Sequence, residues 1–145
     1  MEESLPVAIQ SLMEGLVKAV GTTVFASVVA FAIGLFLGVI LLIVRTNGGK
    51  PARALVTVYV SFMRGTPLLV QLMLAFYVLP SLIDVQLSPL VAGILALALN
   101  TTAYISESFR GALTTLPRGQ KQAGLALGMR TVQIWKSILL PQVFH

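Results

Sequence analysis

Long uncharged apolar runs, rather than alternating or amphipathic stretches, organise this chain. Ala19 to Val44 passes 26 residues without a charge, Gly65 to Ile83 passes 19 and Val85 to Ser106 passes 22. A helix needs about 20 mostly apolar residues to cross a hydrocarbon core of about 30 Å, so each run is long enough. A soluble helix shows a charged face opposite its apolar stripe, and Val24 to Val44 shows none. The pattern predicts an all-α integral membrane protein with spans over about 19–44, 65–83 and 89–113. Local signals place the breaks. Asn47-Gly48-Gly49 is a turn cluster, and Pro51 suits the start of a new helix. Residues 52–63 then form either a short helix at the membrane interface or the start of span two. Thr66 precedes Pro67 and is pushed away from helical geometry, which predicts a kink. Leu79-Pro80 is expected to end the second span. Ser88-Pro89 reads as N-cap and first helical position of the third.

Composition agrees with the run lengths. Of 145 residues, 57% are hydrophobic and 10% charged, against about 25% charged in soluble domains. The net charge of +5 is not spread as a nucleic-acid surface. It is −2 before the first span, +4 between spans one and two, −1 between spans two and three and +4 after the third. Lys and Arg accumulate on cytoplasmic loops, so the alternation predicts an outside N-terminus and an inside C-terminal segment. The N-terminal segment carries Glu2, Glu3 and Glu14 in place of the basic region of a secretory signal.

Several chemistries are excluded. There is no cysteine, so no disulfide, thiolate metal site or thiol nucleophile exists. His145 is the only histidine and cannot make a metal cluster. Neither GxxxxGK[ST] nor GxGxxG occurs. No cofactor is expected, and the chain is expected not to be an enzyme in its own right.

The polar residues inside the spans carry the next layer. Gly34 and Gly38 form a GxxxG pair that lets two helices approach closely. Gln71, Asn100, Thr101, Thr102 and Ser106 are polar groups within hydrocarbon. Such groups line substrate routes or make interhelical hydrogen bonds, and either reading makes span three face protein or a cavity. Glu107 lies near the cytoplasmic end of span three, with Arg110 three residues on and Arg64 at similar depth. An isolated charge there costs several kcal/mol, so Glu107 is expected to pair with Arg64, Arg110 or both. The pair reads as structural or gating, with direct substrate contact as the other role.

Past span three the chain becomes patterned and basic over about 117–141. Leu116 to Gln120 is a turn, and Lys121 to Leu127 a short helix that Gly128 can close in left-handed geometry. Thr131 can cap a second helix with Val132, Trp135, Ile138 and Leu139 on one face. The stretch GQKQAGLALGMRTVQIWKSILLPQ, Gly119 to Gln142, resembles the EAA loop of importer permeases that work with an ABC ATPase. Tyr59 to Pro80 (YVSFMRGTPLLVQLMLAFYVLP), Ala103 to Gln120 (AYISESFRGALTTLPRGQ) and Gly21-Thr22-Thr23 resemble the polar amino acid branch of that family.

The resemblance implies a bacterial inner-membrane permease subunit with two cytoplasmic ABC ATPase subunits as partners. A second permease subunit, identical or paralogous, and a periplasmic or surface amino acid-binding protein complete the implied assembly. It implies that the loop's coupling helix transmits ATPase closure to the membrane helices. Gln122, Ala123, Gly124 and Gly128 fall at the motif's positions, the small ones expected to let the backbone approach an ATPase groove. The family's usual glutamate is Gln122 here, which keeps hydrogen bonding and loses the charge. The family also implies two further spans after the loop, so the chain reads as a single permease domain, truncated. A small membrane anchor or regulatory subunit is the alternative, and it has no use for the Gly119 to Gln142 pattern. The topology is testable with single cysteines at Glu3, Gly49, Asp84 and Arg118, probed by an impermeant thiol reagent in intact spheroplasts. Glu3 and Asp84 are expected to label; labelling of Gly49 or Arg118 alone would reverse the orientation.

Overall fold

The computed structural model describes residues 4–117 and 119–143, and every element among the described residues is helical. Glu2, Glu3, Arg118 and His145 lie outside the described residues. Helix α1, Ser4–Asn47, is continuous over 44 residues, about 66 Å at 1.5 Å per residue. It begins well before residue 19, because Glu14 and Lys18 are good helix formers and no proline follows Pro6 within the helix. Pro6 itself sits in the first turn, where a missing N–H is harmless.

Helix α2, Lys50–Gly65, follows a tight turn, with Arg53 donating to the carbonyl of Gly48 at 2.7 Å. Helix α3, Leu68–Ile83, leaves α2 at an angle of 107°. The break falls at Thr66-Pro67, where Thr66 is extended (φ −110°, ψ 141°) as a residue before proline must be. The chain does not stop at Leu79-Pro80, contrary to the sequence expectation; it stays helical to Ile83. A π-helical stretch, Leu74–Val78, precedes the proline, and Leu79 N–H bonds back to Leu74. That wider turn shifts the carbonyl that the proline ring would otherwise strike. Asp84 then ends the helix in left-handed geometry at φ 53°.

Helix α4, Pro89–Thr115, is capped by Ser88, whose Oγ accepts from Val91 N–H at 3.3 Å. Ile9–Asn47 and Pro89–Thr115 are each long and apolar enough to cross a membrane, and the bent pair α2–α3 makes a third candidate. α1 and α4 run parallel in close contact. A Cβ on Gly34 would lie 2.7 Å from Thr101 Cβ, and one on Gly38 2.8 Å from Ile105. The GxxxG pair therefore seats α4 at Ala98, Thr101 and Ile105, and Ala92, Ala96, Ala98 and Ala103 of α4 are all buried, Ala103 against Val56 and Val60 of α2. By contrast residues 9–25 of α1 are exposed throughout.

Helix α5, Gly119–Ala126, ends in a Schellman closure. Met129 N–H donates to Gly124, Gly128 N–H donates to Leu125, and Gly128 has φ +74°. Helix α6 covers residues 131–143 with a π-helical middle, Trp135–Leu139. Its N-cap is Arg130, not Thr131, because Gln133 reaches back to accept from Arg130 N–H at 2.8 Å. Ile134, Trp135 and Leu139 pack with Leu42 into a core that also holds Phe109, Leu113 and Leu116. The loop is thereby fastened to the ends of α1 and α4.

Gly34→Ala is expected to lower stability by about 1–3 kcal/mol through overpacking, since Thr101 Cβ cannot rotate away. Gly93→Ala, where a Cβ meets nothing within 4 Å, should be neutral or stabilising by up to about 1 kcal/mol. Thermal unfolding of both variants in the same detergent measures the difference.

Candidate functional site

Three helices bring charge to one carboxylate. Glu107 on α4 accepts from Arg45 Nη1 at 2.5 Å and from Arg110 through Nη2 at 2.6 Å and Nε at 3.0 Å. Arg64 Nη1 stands farther off at 3.6 Å, with its guanidinium 5.6 Å from the Tyr104 ring centroid. The Arg110 contact is a two-point fork, the strong form of the pair. Arg64 and Arg110 were the partners expected from spacing; Arg45 was missed. The parallel register of α1 and α4 could have found it, because helical side chains lean toward the N-terminus and Arg45 leans back toward the level of Glu107. The carboxylate ties α1, α2 and α4 together, and the cluster keeps a surplus of positive charge.

A second knot sits at the α2–α3 break. Pro67 has no N–H, so the carbonyl of Met63 loses its helical partner. Gln71 supplies it: Nε2 donates to Met63 O at 2.8 Å, to Thr66 O at 3.1 Å and to Thr66 Oγ1 at 2.9 Å. Its Oε1 accepts from Asn100 Nδ2 at 3.1 Å, which fastens α3 to α4. Gln71 is 6% exposed. In hydrocarbon an unpaired backbone group costs several kcal/mol, and one side chain here answers two carbonyls.

The remaining polar residues of α4 follow the same inward habit. Thr101 packs on Gly34, and Thr102 donates to Ala98 O at 2.7 Å. Ser106 is fully buried, its Oγ without a hydrogen-bond partner among the described residues. Beside Gln71, an apolar cavity of about 240 Å³ opens between α3 and α4, walled by Leu74, Val78, Ala96 and Leu99.

In the loop, Gly124 is buried rather than outward. A Cβ there would lie 2.9 Å from Ile134, so its small size serves the α5–α6 contact and not an approach to an external groove. Gln122 and Ala123 are exposed, as are Leu127 at 81% and Val132 at 76%. Leu127 was not singled out from the sequence; Val132 was expected on the apolar face of the second loop helix, but it turns outward, and only Trp135, Ile138 and Leu139 of that set pack against the ends of the spanning helices. A cavity of about 480 Å³ separates α5 from the helix ends, lined by Thr46, Leu113, Lys121, Gln122, Leu125 and Trp135.

Apolar spanning helices joined through small residues, with a basic helical loop clamped to their ends, make this an all-α integral membrane protein. The chain belongs to the family of binding-protein-dependent transport system inner membrane components, whose model matches residues 30–145. Among its relatives, the arginine transport system permease protein ArtQ of Bacillus subtilis (strain 168) is 38% identical over 92% of this chain and 59% of its own length. The putative glutamine transport system permease protein GlnP of Rickettsia prowazekii (strain Madrid E) is 38% identical over 82% of this chain and 55% of its own length. The L-cystine transport system permease protein TcyB of Bacillus subtilis (strain 168) is 37% identical over 85% and 52%. A solved amino acid ABC transporter with histidines superposes with a TM-score of 0.72 at 28% identity, covering 90% of this chain and 64% of that one. The chain thus spans between half and three-fifths of the length of these curated relatives.

Gln71→Leu is expected to lower stability by about 2–4 kcal/mol, because two carbonyls at the break lose their donor. Asn100→Ala should cost less, about 1 kcal/mol, since it removes one neutral bond. Thermal unfolding in detergent ranks them. Glu107→Gln should cost about 1–3 kcal/mol, below the range for a fully buried pair because 20% of the side chain is exposed.

Proposed function

We propose that the chain is a membrane-spanning permease subunit of an ATP-driven amino acid importer, forming part of the translocation pathway and coupling it to a cytoplasmic ATPase. The observation that supports coupling best is the mechanical continuity of the loop. α5 rests through Gly124 on Ile134, and Ile134 belongs to the same core as Leu42, Phe109 and Leu113 on the spanning helices. A displacement of α5 is therefore carried through packed side chains to the ends of α1 and α4, because close-packed interiors transmit strain rather than absorb it.

The α5 surface facing away from that core would seat on the ATPase. Ala123 and Leu127 lie there, with Val132 beyond Gly128; Gly124 and Gly128 act by fixing the shape behind them. Gln122, exposed beside the cavity, contributes a hydrogen-bonding amide. The Glu107 cluster serves as the clamp that holds α1, α2 and α4 in register during switching. Asn100 and Thr101 are half-buried on α4 and are the pathway-lining candidates, with Gln71, Thr102 and Ser106 supporting them from within the bundle. A second permease subunit would complete the pathway, and an external binding protein would deliver the amino acid. The N-terminus faces outward and the loop inward, a reading supported by the alternating loop charges.

Leu127→Asp should leave the unfolding temperature unchanged while reducing co-purification of the ATPase by about tenfold, the effect of removing one apolar interface anchor of about 1.4 kcal/mol. Gly124→Leu should instead destabilise the loop itself, and Gly128→Val should do the same by forcing a β-branched residue into positive φ. Gln122→Glu should be tolerated. Full ATPase retention and full substrate-stimulated hydrolysis in Leu127→Asp and Gly128→Val together would remove the loop from the coupling path.

A further inference from the structure

Helix α1 runs on past the point where α4 begins. Gly34 sits level with Ala98 and Thr101, and Gly38 with Thr102 and Ile105. Carried back at the same rise along the two parallel helices, Pro89, the first residue of α4, falls near the level of Thr23. Before that level α1 continues without α4 beside it, and the side chains from Ile9 to Phe25 are all exposed. This free part is two-faced. At 100° per residue, Ile9, Leu12, Leu16, Ala19 and Thr23 fall within an arc of about 80°, on the same side of the helix as Gly34. Gln10, Glu14 and Lys18 lie on the opposite side. Thr23 presents no bare hydroxyl to the stripe, since its Oγ1 donates to Ala19 O at 2.9 Å.

The steps from Ile9 to Thr23 are 3, 4, 3 and 4 residues. That repeat keeps a seam facing another helix, whereas contact with lipid requires no period. Hydrocarbon does not reach the stripe either. The uncharged run from Ala19 to Val44 is about 39 Å long as a helix, enough for the whole core of about 30 Å. Ile9 stands about 15 Å beyond Ala19. The helix is continuous from Ser4 to Asn47, with no break at which its first turns would fold onto the membrane surface. Ile9, Leu12 and Leu16, each more than half exposed, therefore project where apolar contact is favourable. A second copy of this chain brings the same seam to the same height in the same direction, so a two-fold pairing is self-complementary. It sets no like charges together, because Glu14 and Lys18 point away from it. The seam is short for a free peptide, but each helix is already nucleated by the span that continues it.

We propose that the first part of α1 is one half of a parallel two-helix zipper, with Ile9, Leu12, Leu16 and Ala19 seated against a second copy of this chain. The proposal rests on the second-subunit reading above and makes that subunit identical. Because the chain has no cysteine, single cysteines report the contact in native membranes oxidised with copper phenanthroline. A disulfide needs Cα atoms within about 7 Å, a separation met across the seam and not between the outer faces. Leu12→Cys and Leu16→Cys are expected to give disulfide-linked dimers, and Glu14→Cys and Lys18→Cys to stay monomeric. Dimers on both faces alike, or on neither, would overturn the proposal, as would a cross-link to a protein of different mass. Quenching of a fluorophore on Leu12→Cys by doxyl groups on the acyl chains would place lipid on the seam and also reject it. Retention of the ATPase is scored on the same preparations. Seam dimers absent with the ATPase retained would reject the zipper alone; both absent would reject the permease reading with it.

Discussion

Backbone polarity inside hydrocarbon is the constraint on which this architecture turns. A chain that crosses a membrane has no water to satisfy a freed carbonyl, yet Thr66-Pro67 frees carbonyls where α2 gives way to α3. The amide of Gln71, one turn beyond the break, answers Met63 and Thr66 and still has an oxygen for Asn100. Without that side chain, the 107° turn between α2 and α3 would expose unpaired backbone between two apolar helices. With it, the turn becomes a fixed corner. α2 then packs against α1 and the middle of α4 through Val56, Tyr59 and Val60, while α3 runs along α4.

The same corner brings Arg64 to Glu107, so the two polar knots are geometrically linked. One fixes where α2 ends; the other ties that end to α1 and α4. Between them lies the close contact of Gly34 and Gly38 with Thr101 and Ile105, an interface made by the absence of side chains. Bulky residues are left on the outside, where Phe25, Phe31 and Phe36 are each more than half exposed. This inversion suits lipid, in which burying a large apolar side chain gains little and close backbone approach gains dispersion contacts. The loop helices α5 and α6 use the opposite logic, packing Ile134, Trp135 and Leu139 into a core of soluble type.

Much of this was legible in the sequence. The uncharged runs gave the helical membrane class, Ser88-Pro89 gave the start of α4, Thr66-Pro67 gave the break and Gly128 gave the closure of α5. These are local effects: a proline lacks its N–H wherever it sits, and a glycine reaches positive φ without neighbours. The GxxxG pair was legible as a contact but not as a contact with α4. Pro80 misled, because whether a proline ends a helix depends on the turn before it, and the π-helical stretch Leu74–Val78 accommodates it.

What the sequence by itself determined, then, was which segments are helical, where their backbones break and which ends are basic, since propensity, ring geometry and charge count act over a few residues. Only the tertiary structure decided the partners. Arg45 reaches Glu107 across 62 positions, and Gln71 serves carbonyls before the break as well as Asn100 after it. Gly124 faces Ile134 instead of open space. Those choices depend on the direction in which whole helices cross, a property that no local pattern encodes.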